Sequence, residues 1–378
     1  MTPPPDLSAM PVVDGHCHPL LPDPWSISPE TFLGLFTEAR SGTMAAHVPH
    51  TGYYRRALRA LASLVGTEPR VEDVLARRAA VGANVARRAL EEMRVAALLV
   101  DTGHPPEAMG LDEMRRLLPC PIHEVFRIEM AAERLLGRGL SCDEFLEAFR
   151  GDLGRAAERC VALKTIVAYR SGLAVREWPR EDVAAAYVRA LGRVRDGGPA
   201  RLTDKPLLDT LVHAALEAAR ATGRPLQVHT GLGDPDIDLL HANPLLLRPL
   251  LEDPRWREVR LVLLHMAYPY VREAAFMAAV WPQVYVDLSV VPAFLGPGSI
   301  PPLVEALALA PASKLLYGSD VGGLPELFAL AAGWTRAALG EALGWLVERG
   351  GLTGEEAGSA GRQILAGNAE ALYGLRPP

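Results

Sequence analysis

Lysine is nearly missing from this chain of 378 residues: it stands only at positions 164, 205 and 314, and arginine carries the remaining basic charge. The net charge of −6 and the absence of a Lys/Arg run argue against a nucleic-acid partner. Cysteine is also sparse. Cys17, Cys120, Cys142 and Cys160 form no CxxC pair, which predicts reduced thiols in a cytoplasmic protein rather than a disulfide scaffold. No apolar run approaches the roughly 20 residues of a membrane helix. The Pro-rich stretch Met1–Met10 lacks the basic region and apolar core of a signal peptide. No GxGxxG follows the first apolar run, which speaks against a dinucleotide-binding sheet.

What is present is ordinary globular material, 49% hydrophobic and 22% charged, ample for a core. The most pointed stretch is Val12-Val13-Asp14-Gly15-His16-Cys17-His18. In an extended strand side chains alternate faces, so His16 and His18 point one way and Cys17 the other. Two imidazoles converging from one strand end make half of a metal site. Residues 19–30 then read as loop, and residues 31–92 carry helical spacing, over Tyr53 to Val65 and over Val71 to Met93. This segment, 24–92, reads as a helical insertion that walls or lids a site.

Beyond it the chain repeats one pattern, a short apolar run ending in polar residues. The runs are Val95–Val100 before Asp101, Ile122–Ile128 before Glu129, and Cys160–Ala168 with Lys164 inside it and Tyr169-Arg170 behind. Next come Leu226–Val228 before His229, Arg260–Leu264 before His265, Val284–Val286 before Asp287, and Lys314–Tyr317 before Gly318-Ser319-Asp320. With the first, that is eight near-continuous apolar strands, as buried parallel strands read. Amphipathic stretches such as Leu207–Ala221 and Leu303–Ala310 lie between them. The expected fold is α/β, a (β/α)8 TIM barrel occupying 1–378 as a single domain, with a helical insertion after strand 1. Closing helices follow from Trp334 to Leu375, with stops at Asn368 and Gly374.

In such barrels the chemistry sits at the C-terminal strand ends. Those ends carry His16, His18, Glu129, Lys164, His229, His265 and Asp320. Imidazole and carboxylate suit a divalent transition ion such as zinc, with a position kept open for water. Arg170 is placed either to clamp a substrate carboxylate or to cap a helix. Glu129 pairs with Arg127 or serves the substrate, and His50, beside His47, Tyr53 and Tyr54, lies on the insertion. Asp101 and Asp287 read as strand-end hydrogen-bonding groups, and Cys17 as packing.

The ordered set His16-x-His18, His229, His265 and Asp320 resembles the amidohydrolase superfamily. More narrowly it resembles the amidohydrolase-2 group and the amidohydrolase-like domain associated with glutamine synthetase-like proteins. The narrower likeness is carried by Ala162–Leu173, Leu264-His265-Met266-Ala267-Tyr268-Pro269 and Leu316-Tyr317-Gly318-Ser319-Asp320. The resemblance implies that His16, His18, His229 and Asp320 hold one divalent ion, zinc first, with manganese or iron as alternates. It implies that Asp320 also moves the proton of the attacking water, and that His265 polarises the scissile carbonyl or binds a second metal. Lys164 would be a carboxylated bridge to that second metal or a partner of substrate, with Arg170, Glu129, Tyr169 and His50 around the substrate.

The activity so implied is metal-dependent hydrolysis of a C–N, amide-type bond in a small carboxylated molecule. The alternatives are a metal-dependent decarboxylase of the same group, or a non-catalytic metal-bound partner of a ligase. The expected partner is a small-molecule substrate, with neither membrane nor nucleic acid, and a homo-oligomer is compatible with the sequence.

Overall fold

A computed structural model describes residues 5–40, 42–105 and 107–375. Eight strands form one sheet in sequence order: β1 (Val12–Cys17), β2 (Val95–Asp101), β3 (Ile122–Arg127), β4 (Ala162–Thr165), β5 (Leu226–Val228), β6 (Leu261–Leu263), β7 (Val284–Asp287) and β8 (Leu315–Leu316). Helices separate them, so the fold is the (β/α)8 barrel that the repeated apolar runs predict. The residues group into two compact units, Met1–His123 with Asp287–Pro378, and Glu124–Val286.

In the first unit β1 is buried along its whole length and runs parallel to β2. Asp14 faces Leu98 and Cys17 faces Val100, so β1 spends one residue more than β2 across Gly15-His16. That is a β-bulge, which breaks the alternation of faces and re-aims the side chains after it. The insertion is helical as expected, with helices Pro29–Gly34, Gly52–Val65, Val71–Val81 and Ala83–Glu92. The sequence reads as one helix from Val71 to Met93, but Gly82 divides it, at φ 59° and ψ −152°, a backbone state no helix permits.

Aromatic rings join the insertion to the later part of the same unit. Tyr53 stacks 4.7 Å from Phe294 and meets Phe36 and Trp334 edge-on. Arg78 is fully buried and holds Glu326 through two bonds of 2.9 Å. The closing helix begins at Pro325, ahead of the expected Trp334, because proline suits a first helical turn. Asn368 is a second correction: it opens the helix Asn368–Tyr373 instead of stopping one, and its Nδ2 donates to the carbonyls of Ala312 and Leu315. Gly374 does end that helix, in the left-handed conformation.

In the second unit, β4 pairs with β3 and β5, and β6 with β5 and β7, all in parallel. β4 is shorter than its apolar run suggests. Thr165 ends it, and Val167–Tyr169 forms a 3-10 turn. Leucine and valine supply most of β5 and β6, and helices such as Cys142–Arg159 and Lys205–Thr222 contribute buried residues of their own.

Candidate active site

In the first unit the imidazoles of His16, on β1, and His18, just past its end, converge on one carboxylate. His16 Nε2 lies 3.0 Å and His18 Nε2 3.1 Å from the same atom, Asp320 Oδ1. His16 is fully buried, whereas His18 and Asp320 remain about one-fifth exposed at their side chains, open enough for a ligand.

A backbone lattice fixes this approach. Gly15 N–H donates to the Tyr317 carbonyl, Asp320 N–H to the His16 carbonyl at 2.8 Å, and His18 N–H to the Val321 carbonyl. One rung is supplied by a side chain: Asp14 Oδ1 accepts from Ser319 N–H at 2.9 Å and from His16 N–H at 3.4 Å. Burial pushes the Asp14 carboxyl up to about 8, against the pull of Ser319. Gly318 leaves room for a carboxylate: a Cβ there would fall 2.1 Å from Asp287 Oδ2, so any side chain would have to displace Asp287. Cys17 donates to the Leu99 carbonyl on the opposite face, as packing predicts.

Backbone strain marks the same places. Among the described non-glycine residues, positive φ occurs at Arg94, His265, Met266, Ala267, Val290 and Asp320. Arg94 apart, all of them lie just past the ends of β6, β7 and β8. A β-branched residue such as Val290 is especially costly there, and strain of this kind gathers at functional sites.

In the second unit His265 Nε2 lies 3.0 Å from His229 Nδ1, and the Tyr169 ring sits 4.2 Å from that of His229. Gly231 lets the turn after His229 approach the turn after His265, since a Cβ would fall 2.3 Å from the Tyr268 carbonyl. Lys164 is buried on β4, in register with Arg127 and Gln227. Glu129 is fully buried in the first turn of the helix Ile128–Leu136, where its Oε1 accepts from Thr165 Oγ1 and from Ile166 N–H. Burial raises its pKa against those two bonds.

Arg170 lies 3.4 Å from Glu133, and its Nε and Nη1 are buried with no hydrogen-bond partner. Burial lowers its pKa, and Glu133 partly restores it. His50 is exposed and meets Arg55 through Nδ1 at 3.2 Å. Asp101, a strand-end hydrogen-bonding group by its place in the sequence, also joins His16 and His18 in a set whose ligand atoms lie within 4.8 Å of one another.

The donor set fits a divalent ion. A tetrahedral ion with bonds near 2.1 Å spaces its ligands by roughly 3.4 Å, and the nitrogens of His16 and His18 are already at 3.0 and 3.1 Å from a carboxylate oxygen. Such a cluster past the C-terminal strand ends stands where barrel enzymes carry their chemistry. The chain belongs to the amidohydrolase family, whose model matches residues 123–375.

It is 32% identical to Protein fluG of Emericella nidulans over 97% of its own length. It spans about half of that relative, 46%. A Lactobacillus casei structure assigned by inference as a metal-dependent hydrolase is 27% identical, with a TM-score of 0.85 over 97% of this chain and 96% of that one. The uronate isomerase of Thermotoga maritima shares the fold, with a TM-score of 0.66 at 14% identity over 97% of this chain and 95% of that one.

Proposed function

We propose that this protein hydrolyses a C–N, amide-type bond of a small carboxylated molecule, with His16, His18, His229 and Asp320 holding one divalent ion, zinc first and manganese or iron as alternates. The convergence of both β1 imidazoles on Asp320 Oδ1 carries this reading. When bound, such an ion supplies Lewis-acid polarisation and lowers the pKa of a water from 15.7 to about 7.

The side chains supply the rest. Asp320 turns Oδ1 to the histidines, so Oδ2 is the oxygen that takes the proton of the attacking water and returns it to the leaving nitrogen. An ion held by His229 Nε2 requires the proton on Nδ1, which then donates to His265 Nε2. His265 therefore orients His229 in this reading, as partners of metal-bound histidines do. The buried donors Nε and Nη1 of Arg170 suit a substrate carboxylate. Tyr169 beside His229 and Glu129 near β4 complete the substrate side, with Lys164 as a second-metal or substrate group. The insertion 24–92, which carries His50, walls the site.

The test is metal analysis of purified protein followed by turnover of carboxylated amides in ¹⁸O-water. Hydrolysis places one ¹⁸O in the new carboxylate. Carbon dioxide release without ¹⁸O uptake assigns the protein to the decarboxylases instead, and a protein that binds no ion removes the reading.

A further inference from the structure

We infer that Asp101 is a further carboxylate of the cation site, binding the same ion as His16, His18 and Asp320. The inference rests on the metal reading above and adds a ligand that the strand-end pattern alone does not single out. Three observations within the first unit carry it.

The first is register. Cys17 faces Val100 in the last rung of the parallel pair, and His18 and Asp101 are the residues that follow it along the two strands. The bulge across Gly15-His16 is what brings this about, because without it the faces of β1 and β2 would fall out of step. The second is proximity. The ligand atoms of His16, His18 and Asp101 all lie within 4.8 Å of one another, Asp101 is fully buried, and Gly103 N–H fixes its Oδ1 at 3.2 Å.

The third is charge. Asp101 and Asp320 both stand beside the two imidazoles, and burying carboxylates together is costly unless a cation offsets them. Neutral imidazoles beside two carboxylates balance a divalent ion, and they mix nitrogen and oxygen donors as zinc, manganese and iron sites do. The lining carboxylate has no step in bond cleavage. Its task is to hold the ion and to lower the net charge of the loaded site.

The experiment is a competition titration of metal-free protein with Zn²⁺ and Mn²⁺ against a chromophoric chelator, for wild type and Asp101→Asn. The isosteric change removes the charge, and the expected result is an affinity weaker by more than about 100-fold, beyond the roughly 10- to 100-fold that a merely neighbouring group costs. Asp101→Glu serves as a second variant. It keeps the charge, moves the carboxylate, and is expected to alter the visible spectrum of the Co²⁺-loaded protein. Wild-type affinity in Asp101→Asn, or an unaltered spectrum in Asp101→Glu, overturns this inference and leaves the metal reading standing. A wild type that binds neither ion overturns both.

Discussion

Asp320 combines two demands at one residue: its Oδ1 meets both β1 imidazoles, and its backbone is held at φ 60° by the bond from its N–H to the His16 carbonyl. Asp320→Asn keeps the shape and removes the proton acceptor, so kcat should fall about 10²- to 10⁴-fold, the usual share of general acid–base work. Steady-state kinetics on the metal-loaded variant measures this.

Asp14 is a second such case. Asp14→Ala deletes the rung to Ser319 N–H and should cost about 1–3 kcal/mol in denaturant unfolding, whereas Asp14→Asn retains an acceptor and most of that stability. Glu129 gives a pH prediction. Its folded-state pKa is raised above 4.5 by burial. The stability tied to its protonated form is therefore present below pH 4.5 and lost as pH climbs through the folded value. Glu129→Gln should flatten that decline in a series of thermal melts.

At this scale the histidines and Asp320 were legible in the sequence as polar residues closing apolar runs, though the bulge at Gly15-His16 sets aside the simple alternation of faces. Asp14 and Asp101 were not. The bulge at Gly15-His16 and the bond to Ser319 depend on tertiary register, which no local pattern encodes.

The elements followed their periodicity where apolar patterning and turn chemistry agreed. β2, β5 and β7 lie within a residue of their apolar runs. The departures have local causes: β4 gives way at Thr165, where Glu129 takes the Ile166 N–H that a longer strand would use, and Gly82 splits a helix that looks continuous by composition. The insertion is held by something a pattern cannot show, the buried Arg78–Glu326 pair between Val71–Val81 and Pro325–Glu348. Glu326→Ala leaves the Arg78 guanidinium buried without its carboxylate. The expected cost is about 3–5 kcal/mol in chemical unfolding.

For the whole molecule, the eightfold repeat made the barrel legible before any coordinates, and the family match and the Lactobacillus casei structure agree with it. The division into Met1–His123 with Asp287–Pro378 and Glu124–Val286 was not legible, since nothing in composition changes at either boundary. The chain covers 46% of Protein fluG, so the likeness speaks for that share of the relative and not for its remainder.

Ion binding at a preformed site should also stabilise the folded chain. Free metal at 100 times its dissociation constant adds about 2.7 kcal/mol, visible as a rise in melting temperature that a chelator reverses. The most direct measurement is the ion content of exhaustively dialysed wild type, His16→Asn and His18→Asn by elemental analysis. A metal centre built on β1 predicts about one ion per wild-type chain, with a large loss in both variants. Equal ion content in all three proteins, or none in the wild type, contradicts it.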